Sequence, residues 1–209
     1  VLFNWRSILS HDAGGAEIHL YEIFNRIADK NEIVLIASCN GKRTTGQESK
    51  VGKLSVLHVN KHELLYPFFS LKIALKLIAG SFDLIIEDVS KVPIVWTALI
   101  SKLLSIPFII VVHHVHGKIL LEELPPILAH FAYVYELLTL KLYALLKPYV
   151  VTVSETSRRE LEMLGFDEEK IWTVYNAVSP STIRLSAAKS SEPLIVYVGR
   201  VKKYKRIDH

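Results

Sequence analysis

The sequence predicts an α/β fold: a parallel β-sheet with helices on both faces. Short runs of Val, Ile and Leu alternate along the chain with segments of helical period. The runs are continuous instead of alternating polar and apolar, which is the pattern of strands covered on both sides. A third observation concerns the end of the first run, where Asp12, Gly14 and Gly15 open a helical segment. A glycine turn between strand and helix lets backbone approach a ligand, and the helix N-terminus offers N–H groups to a phosphate. The pair is not GxGxxG, however, and plain turn chemistry explains two glycines before a helix equally well.

Taken in order, Val1–Trp5 is the first strand. The helix after it places Ala16, Leu20, Ile23, Phe24 and Ile27 on one face and His19, Glu22, Arg26 and Asp29 elsewhere. Glu32–Ser38 reads as a buried strand, Asn40–Lys53 as a surface loop and Leu54–Val59 as a strand. Tyr66–Ala79 has helical spacing. Asp83–Asp88 is an apolar strand closing on two carboxylates, Pro93–Leu104 a helix, and Pro107–Val112 the next strand. Lys102 and Pro107 interrupt what would otherwise resemble a membrane span. Pro125–Tyr149 is a long, nearly apolar segment broken by His130, Glu136 and Lys141. A buried helix is its plain reading, and a helix resting on a bilayer surface through Phe131, Tyr133, Tyr135, Lys141, Tyr143 and Lys147 is the sharper one. Tyr149–Val153 is a strand, Ser154 an N-cap, Gly165 a C′ stop, and Ile171–Tyr175 a short strand.

From these segments we expect an N-terminal domain over 1–178, a Ser/Pro-rich linker over 179–193, and the start of a second domain over 194–209, where the strand rhythm restarts at Leu194–Val198 without its parallel neighbours. Half of the 209 residues are apolar and 22% are charged, sufficient for a large core and incompatible with a disordered chain. Cys39 is the single cysteine, so no intrachain disulfide forms. That fits a reducing, cytoplasmic setting, including the cytoplasmic face of a membrane. The five cations Arg200, Lys202, Lys203, Lys205 and Arg206 exceed the net charge of +4, so the remainder is slightly acidic. Basicity is local, which argues against a nucleic-acid partner. Beside Gly199 it suits a phosphate, although a solvated charge run has the same composition.

Ligands of open parallel sheets bind beyond the carboxyl ends of the strands. The residues placed there are Asp12–Gly15, Asp88, His113, His114, His116, Ser154, Asn176, Arg200 and Lys205. Plainer roles exist for several: Asp88 or Ser154 as helix caps, Asn176 as a turn residue. The run His113-His114-Val115-His116 directly follows an apolar strand. It lacks the i,i+4 histidine pair of a helical zinc motif, and no GxSxG elbow accompanies it. We therefore expect an anion- and hydroxyl-binding cleft, with no metal and no bound cofactor.

Four stretches together resemble the family 4 retaining glycosyltransferases of GT-B fold: Gly14-Gly15-Ala16-Glu17; Pro107 to His113; Val153 to Leu161 with Lys170 to Val178; and Tyr197 to Lys205. The chain has Asn176-Ala177-Val178 where the family usually has Asn-Gly-Val, and His113-His114 where many members have His-Asp. The resemblance implies a Rossmann-like acceptor-side domain and transfer of a sugar from a nucleotide-sugar donor to a hydroxyl of a glycan or lipid-linked acceptor. His113 would face the reacting sugar. Gly14, Gly15, Arg200 and Lys205 would hold the donor diphosphate. Asp88, His114, Ser154 and Asn176 would line the cleft or the acceptor site. The family's Glu-x7-Glu motif belongs to its second domain, most of which is absent here, so inactivity of these residues alone is the expectation. The alternative is a non-catalytic nucleotide- or sugar-binding module. A nucleotide-dependent oxidoreductase or epimerase fits the scaffold but lacks GxGxxG and a ribose-binding acid.

Overall fold

The computed structural model describes residues 1–38, 48–59, 66–78, 82–89, 93–178, 191–199, 201 and 205–207. In chain order the elements are β1 (Leu2–Arg6), α1 (Gly15–Ile27), β2 (Val34–Ser38), β3 (Glu48–Val51), β4 (Leu54–His58), α2 (Tyr66–Ile78) and β5 (Ile85–Asp88). They continue with α3 (Val95–Leu104), β6 (Phe108–Val112), α4 (Ile119–Glu123), α5 (Pro126–Leu146), β7 (Tyr149–Thr152), α6 (Glu155–Met163) and β8 (Ile171–Thr173). The strands form one sheet in the order β3-β4-β2-β1-β5-β6-β7-β8. Every pairing is parallel except β3 with β4. Doubly wound, Rossmann-like α/β is the class.

The sheet runs outward in both directions from β1, so its crossovers fall on opposite faces. One face packs α2, α3, α5 and α6 over Phe3, Ile36, Ile85, Ile110, Val150 and Ile171. On the other, Leu20 and Phe24 of α1 cover Leu2, Leu35, Ala37, Leu54 and Val56. Beyond α1 a groove of about 650 Å³ crosses that face, floored by Ile86, Ile109, Val111 and Val151 and ending at His19 and Asp88.

Two departures from the sequence reading have physical causes, and one expected gap in pairing is seen. Part of the expected loop at 40–53 is β3, the antiparallel edge strand. As an edge strand of the sequence Glu-Ser-Lys-Val it needs no continuous apolar run. Its hairpin turns at Gly52, whose φ of +57° favours glycine, and the Lys53 N–H donates to Asn25 Oδ1 of α1 at 2.8 Å. The long apolar helix is α5, which ends where Lys147 takes a left-handed conformation. It is neither wholly buried nor wholly interfacial. Phe131 and Lys141 are exposed, whereas Tyr143, expected on the outer face, is fully buried. The strand-like run at 194–198, expected to lack its parallel neighbours here, is not a strand. Those residues are exposed and pair with no strand among the described residues, because an apolar run has a ladder only where a neighbour supplies one. Residues 179–190 of the expected linker lie outside the described residues.

Candidate functional site

The carboxyl ends of the parallel strands bring four side chains from three elements together. Asp88, the last residue of β5, is buried and lies opposite Val111 in the register of β6. Two residues further, His113 leaves β6 and turns its ring back, so that its Nε2 stands 3.2 Å from Asp88 Oδ1. Across from the pair is the first turn of α1. His19 meets the His113 ring edge-on at 5.1 Å between centroids. Glu17, buried at the third helical position, accepts the Gly14 N–H on Oε2 at 2.6 Å and thereby fixes the glycine turn.

The electrostatics follow from this packing. Burial pushes the Asp88 carboxyl above its ordinary value, and His113 beside it pulls back only part of that shift. For His113 burial disfavours the charged ring, but Asp88 and then Glu17 outweigh it, so its pKa is raised. His19 shifts the other way, lowered by burial and by its neighbour His113. The edge thus holds one imidazole biased toward the cation and one biased toward neutrality. Asp88 Oδ2, His113 Nε2, His19 Nδ1 and Asn4 Nδ2 are buried without a hydrogen-bond partner. Their alignment leaves the Asp88–His113 contact a charge contact, with hydrogen-bonding capacity to spare. Buried polar atoms are ordinarily satisfied, so a cluster of unsatisfied ones marks where a polar ligand would be received.

Gly15 opens α1 beside this cluster. A Cβ built there would meet nothing within 4 Å, so packing does not demand glycine and the space in front of the helix N-terminus is open. Ser154 caps α6, its Oγ accepting the Ser157 N–H at 3.1 Å. The Ser157 hydroxyl in turn donates to the His113 carbonyl at 3.2 Å, so the cap also steadies the loop after β6. His114 points outward and its ring lies 4.3 Å from that of His116. His116 is buried: its N–H and the Gly117 N–H donate to Glu136 of α5 at 2.9 and 2.8 Å, and its Nδ1 lies 3.0 Å from the same carboxylate. Asn176 and Lys205 are exposed, and Arg200 lies outside the described residues. Among the described residues no three His, Cys, Asp or Glu side chains gather as a metal-ion site.

The glycine turn, Asp88 and His113 therefore converge as the sequence suggests. Glu17, His19 and Glu136 are the participants that the sequence reading missed. Helical period sets His19 on a polar face, and an isolated Glu in an apolar helix looks like an interruption. Only the facing loop shows what each touches.

The Glycosyltransferase Family 4 profile matches residues 13–182, most of the chain and all of this edge from the glycine turn onward. The chain belongs to glycosyltransferase family 4. Among solved structures it is similar to Anabaena HepE in complex with UDP, at 20% identity and a TM-score of 0.55 over 86% of this chain and 46% of that one. The HepE complex with UDP-glucose gives 19% identity and a TM-score of 0.54 with the same coverage. The complex with UDP and glucose gives 17% and 0.54 over 86% and 47%. At these identities the likeness is one of fold, the GT-B Rossmann-like fold, and the chain spans about half the length of the HepE chain. No curated protein matches it. Within the family 4 profile lie all four of the converging side chains, Glu17, His19, Asp88 and His113.

Proposed function

We propose that this sheet edge is the acceptor-side wall of a retaining glycosyltransferase site, which moves a sugar from a nucleotide-sugar donor to a hydroxyl of a glycan or lipid-linked acceptor. The observation that carries the reading is the set of unsatisfied buried polar atoms on Asp88, His113 and His19 beside the open N-terminus of α1, in a family 4 glycosyltransferase. HepE's complexes with UDP and UDP-glucose make a uridine nucleotide sugar the first donor to test.

The roles follow from charge. As the glycosidic bond breaks, the departing diphosphate gains negative charge. Gly14, whose own N–H is taken by Glu17, would let it approach the helix, and the N–H groups from Gly15 onward, with Arg200 and Lys205, would stabilise it. His113 donates a hydrogen bond to a sugar oxygen next to the reacting carbon, and Asp88 holds that imidazole and biases its protonation. His114, Ser154 and Asn176 border the acceptor side. A cytoplasmic-face location and a membrane contact through 125–149 accompany a lipid-linked acceptor. Residues 194–198 stand exposed without a sheet of their own, so we expect these 209 residues to bind donor weakly and to turn over little alone.

The test is a transfer assay in the full-length enzyme, with loss of UDP-glucose and gain of glycosylated acceptor both followed. His113→Ala should lower turnover by roughly ten- to a thousand-fold, the scale of one positioned transition-state hydrogen bond, while far-ultraviolet circular dichroism stays unchanged. Wild-type turnover in the variant contradicts the role.

A further inference from the structure

The helices that cover the broad face of the sheet differ sharply in what they show to solvent. Helix α6 is an ordinary solvated helix carrying Glu155, Arg158, Arg159, Glu160 and Glu162. Helices α2, α3 and α5 are not. Packed side by side through Trp96 Nε1 donating to the Pro67 carbonyl at 2.6 Å and Tyr135 donating to the Pro93 carbonyl at 2.8 Å, they turn their outer faces in one direction. On α5, Ile127, Phe131, Val134, Leu138 and Leu145 follow one exposed line in steps of three and four, with Lys141 completing the rhythm. Phe68 on α2 and Leu103 on α3 are 74% and 80% exposed. Leaving such a surface exposed to water would be unusual for a monomer.

Charge decides what would cover it. Lys72, Lys102 and Lys141 are exposed on α2, α3 and α5. The one carboxylate in the three helices is Glu136, and it is buried beneath the loop after β6. Among the described residues, exposed acids flank these helices at Glu122 on α4, Asp83 before β5 and Glu155 on α6. An apolar surface studded with lysines and free of exposed carboxylates along its helices complements an anionic lipid surface. It does not complement a second copy of itself, which would set lysine against lysine. None of the described helices is long and apolar enough to cross a membrane, so contact would be along the surface, with the N-terminal ends of α2, α3 and α5 at the same edge as Asp88 and His113.

We propose that the face formed by α2, α3 and α5 docks the protein on an anionic bilayer. The proposal extends the transferase reading by supplying a route for a lipid-linked acceptor, but vesicle binding is measured without any nucleotide sugar, so either reading can fail alone. The purified protein is floated with phosphatidylglycerol-containing vesicles and with pure phosphatidylcholine vesicles. It should partition onto the former and be released by salt. Lys72→Gln/Lys102→Gln/Lys141→Gln should weaken that partition about 100-fold, at about fivefold per lysine. Phe131→Ser/Leu138→Ser should weaken it on both lipids, with circular dichroism showing that each variant is folded. Absence of the wild type from anionic vesicles, or undiminished flotation of the folded lysine variant, overturns the proposal. So does a stable dimer that the Phe131/Leu138 variant dissociates and that ignores lipid, for the face would then be a self-association surface.

Discussion

At the residue scale the site rests on an imidazole–carboxylate pair whose partners pull each other against burial. Removing the carboxylate alone should expose that balance. In Asp88→Asn the largest remaining influence on His113 is burial, which disfavours the charged ring. Its pKa, raised in the wild type, should fall below the ordinary histidine value. A histidine raised in the folded state contributes stability that is present below the unfolded pKa and is lost as pH climbs through the folded one. The variant should therefore lose stability mainly at pH 6 and below. NMR titration of the His113 ring checks the direction, and an unchanged titration in Asp88→Asn contradicts the pairing. His19 would move little, since its own shift comes first from burial and only then from His113.

At the element scale the junction of β5, α3 and α5 is organised by a second acid, Glu87, one residue before Asp88 and pointing to the opposite face of the sheet. Its carboxylate accepts the Ile94 N–H at 2.8 Å, the Thr97 hydroxyl at 2.5 Å and the Tyr143 hydroxyl at 2.8 Å. It thus fills, at the head of α3, the helix-capping role that the sequence offers to Asp88. Burial dominates these hydrogen bonds and pushes the Glu87 pKa up to about 7. The folded state consequently prefers the protonated acid. Stability should be highest below about pH 4.5 and decline as pH rises through 7, by on the order of 3 kcal/mol for a shift of this size. Glu87→Gln, neutral throughout, should flatten the decline. Urea unfolding at pH 5 and pH 8 measures it, and identical pH dependence in wild type and variant counts against a buried, titrating Glu87.

How far these elements were legible depends on what each one packs against. The inner parallel strands announce themselves, because a strand covered on both faces must be apolar throughout. Helix α6 does too, because its cap Ser154 and its stop at Gly165 are local devices, the glycine holding φ at +94°. Strand β3 was invisible because a polar edge strand has no such constraint. The run at 194–198 has a strand's apolar composition without a hydrogen-bonding neighbour, and it stays unpaired as the sequence reading anticipates. In the site, the glycine turn, Asp88 and His113 could be placed from sequence since each lies at a strand's carboxyl end. His19, the Glu136 clamp on His116 and the place of Glu17 beside Asp88 could not, since they lie in contacts between elements 20 or more residues apart.

For the whole molecule, the central claim is that the carboxyl edge of the sheet, at the mouth of α1, receives a nucleotide sugar. Gly15 offers the cleanest probe. Alanine there meets no neighbour and suits a helix better than glycine, so folding should be unharmed while the added methyl intrudes on the ligand's space. The decisive measurement is amide chemical-shift mapping of the isotopically labelled protein titrated with UDP-glucose, alongside Gly15→Ala. The account predicts shifts concentrated at Gly14, Gly15, Glu17, His19, Asp88 and His113, with weaker binding in the folded variant. Shifts confined to the apolar groove around Ile109 and Val151, or equal affinity in the two proteins with this edge unperturbed, would contradict it.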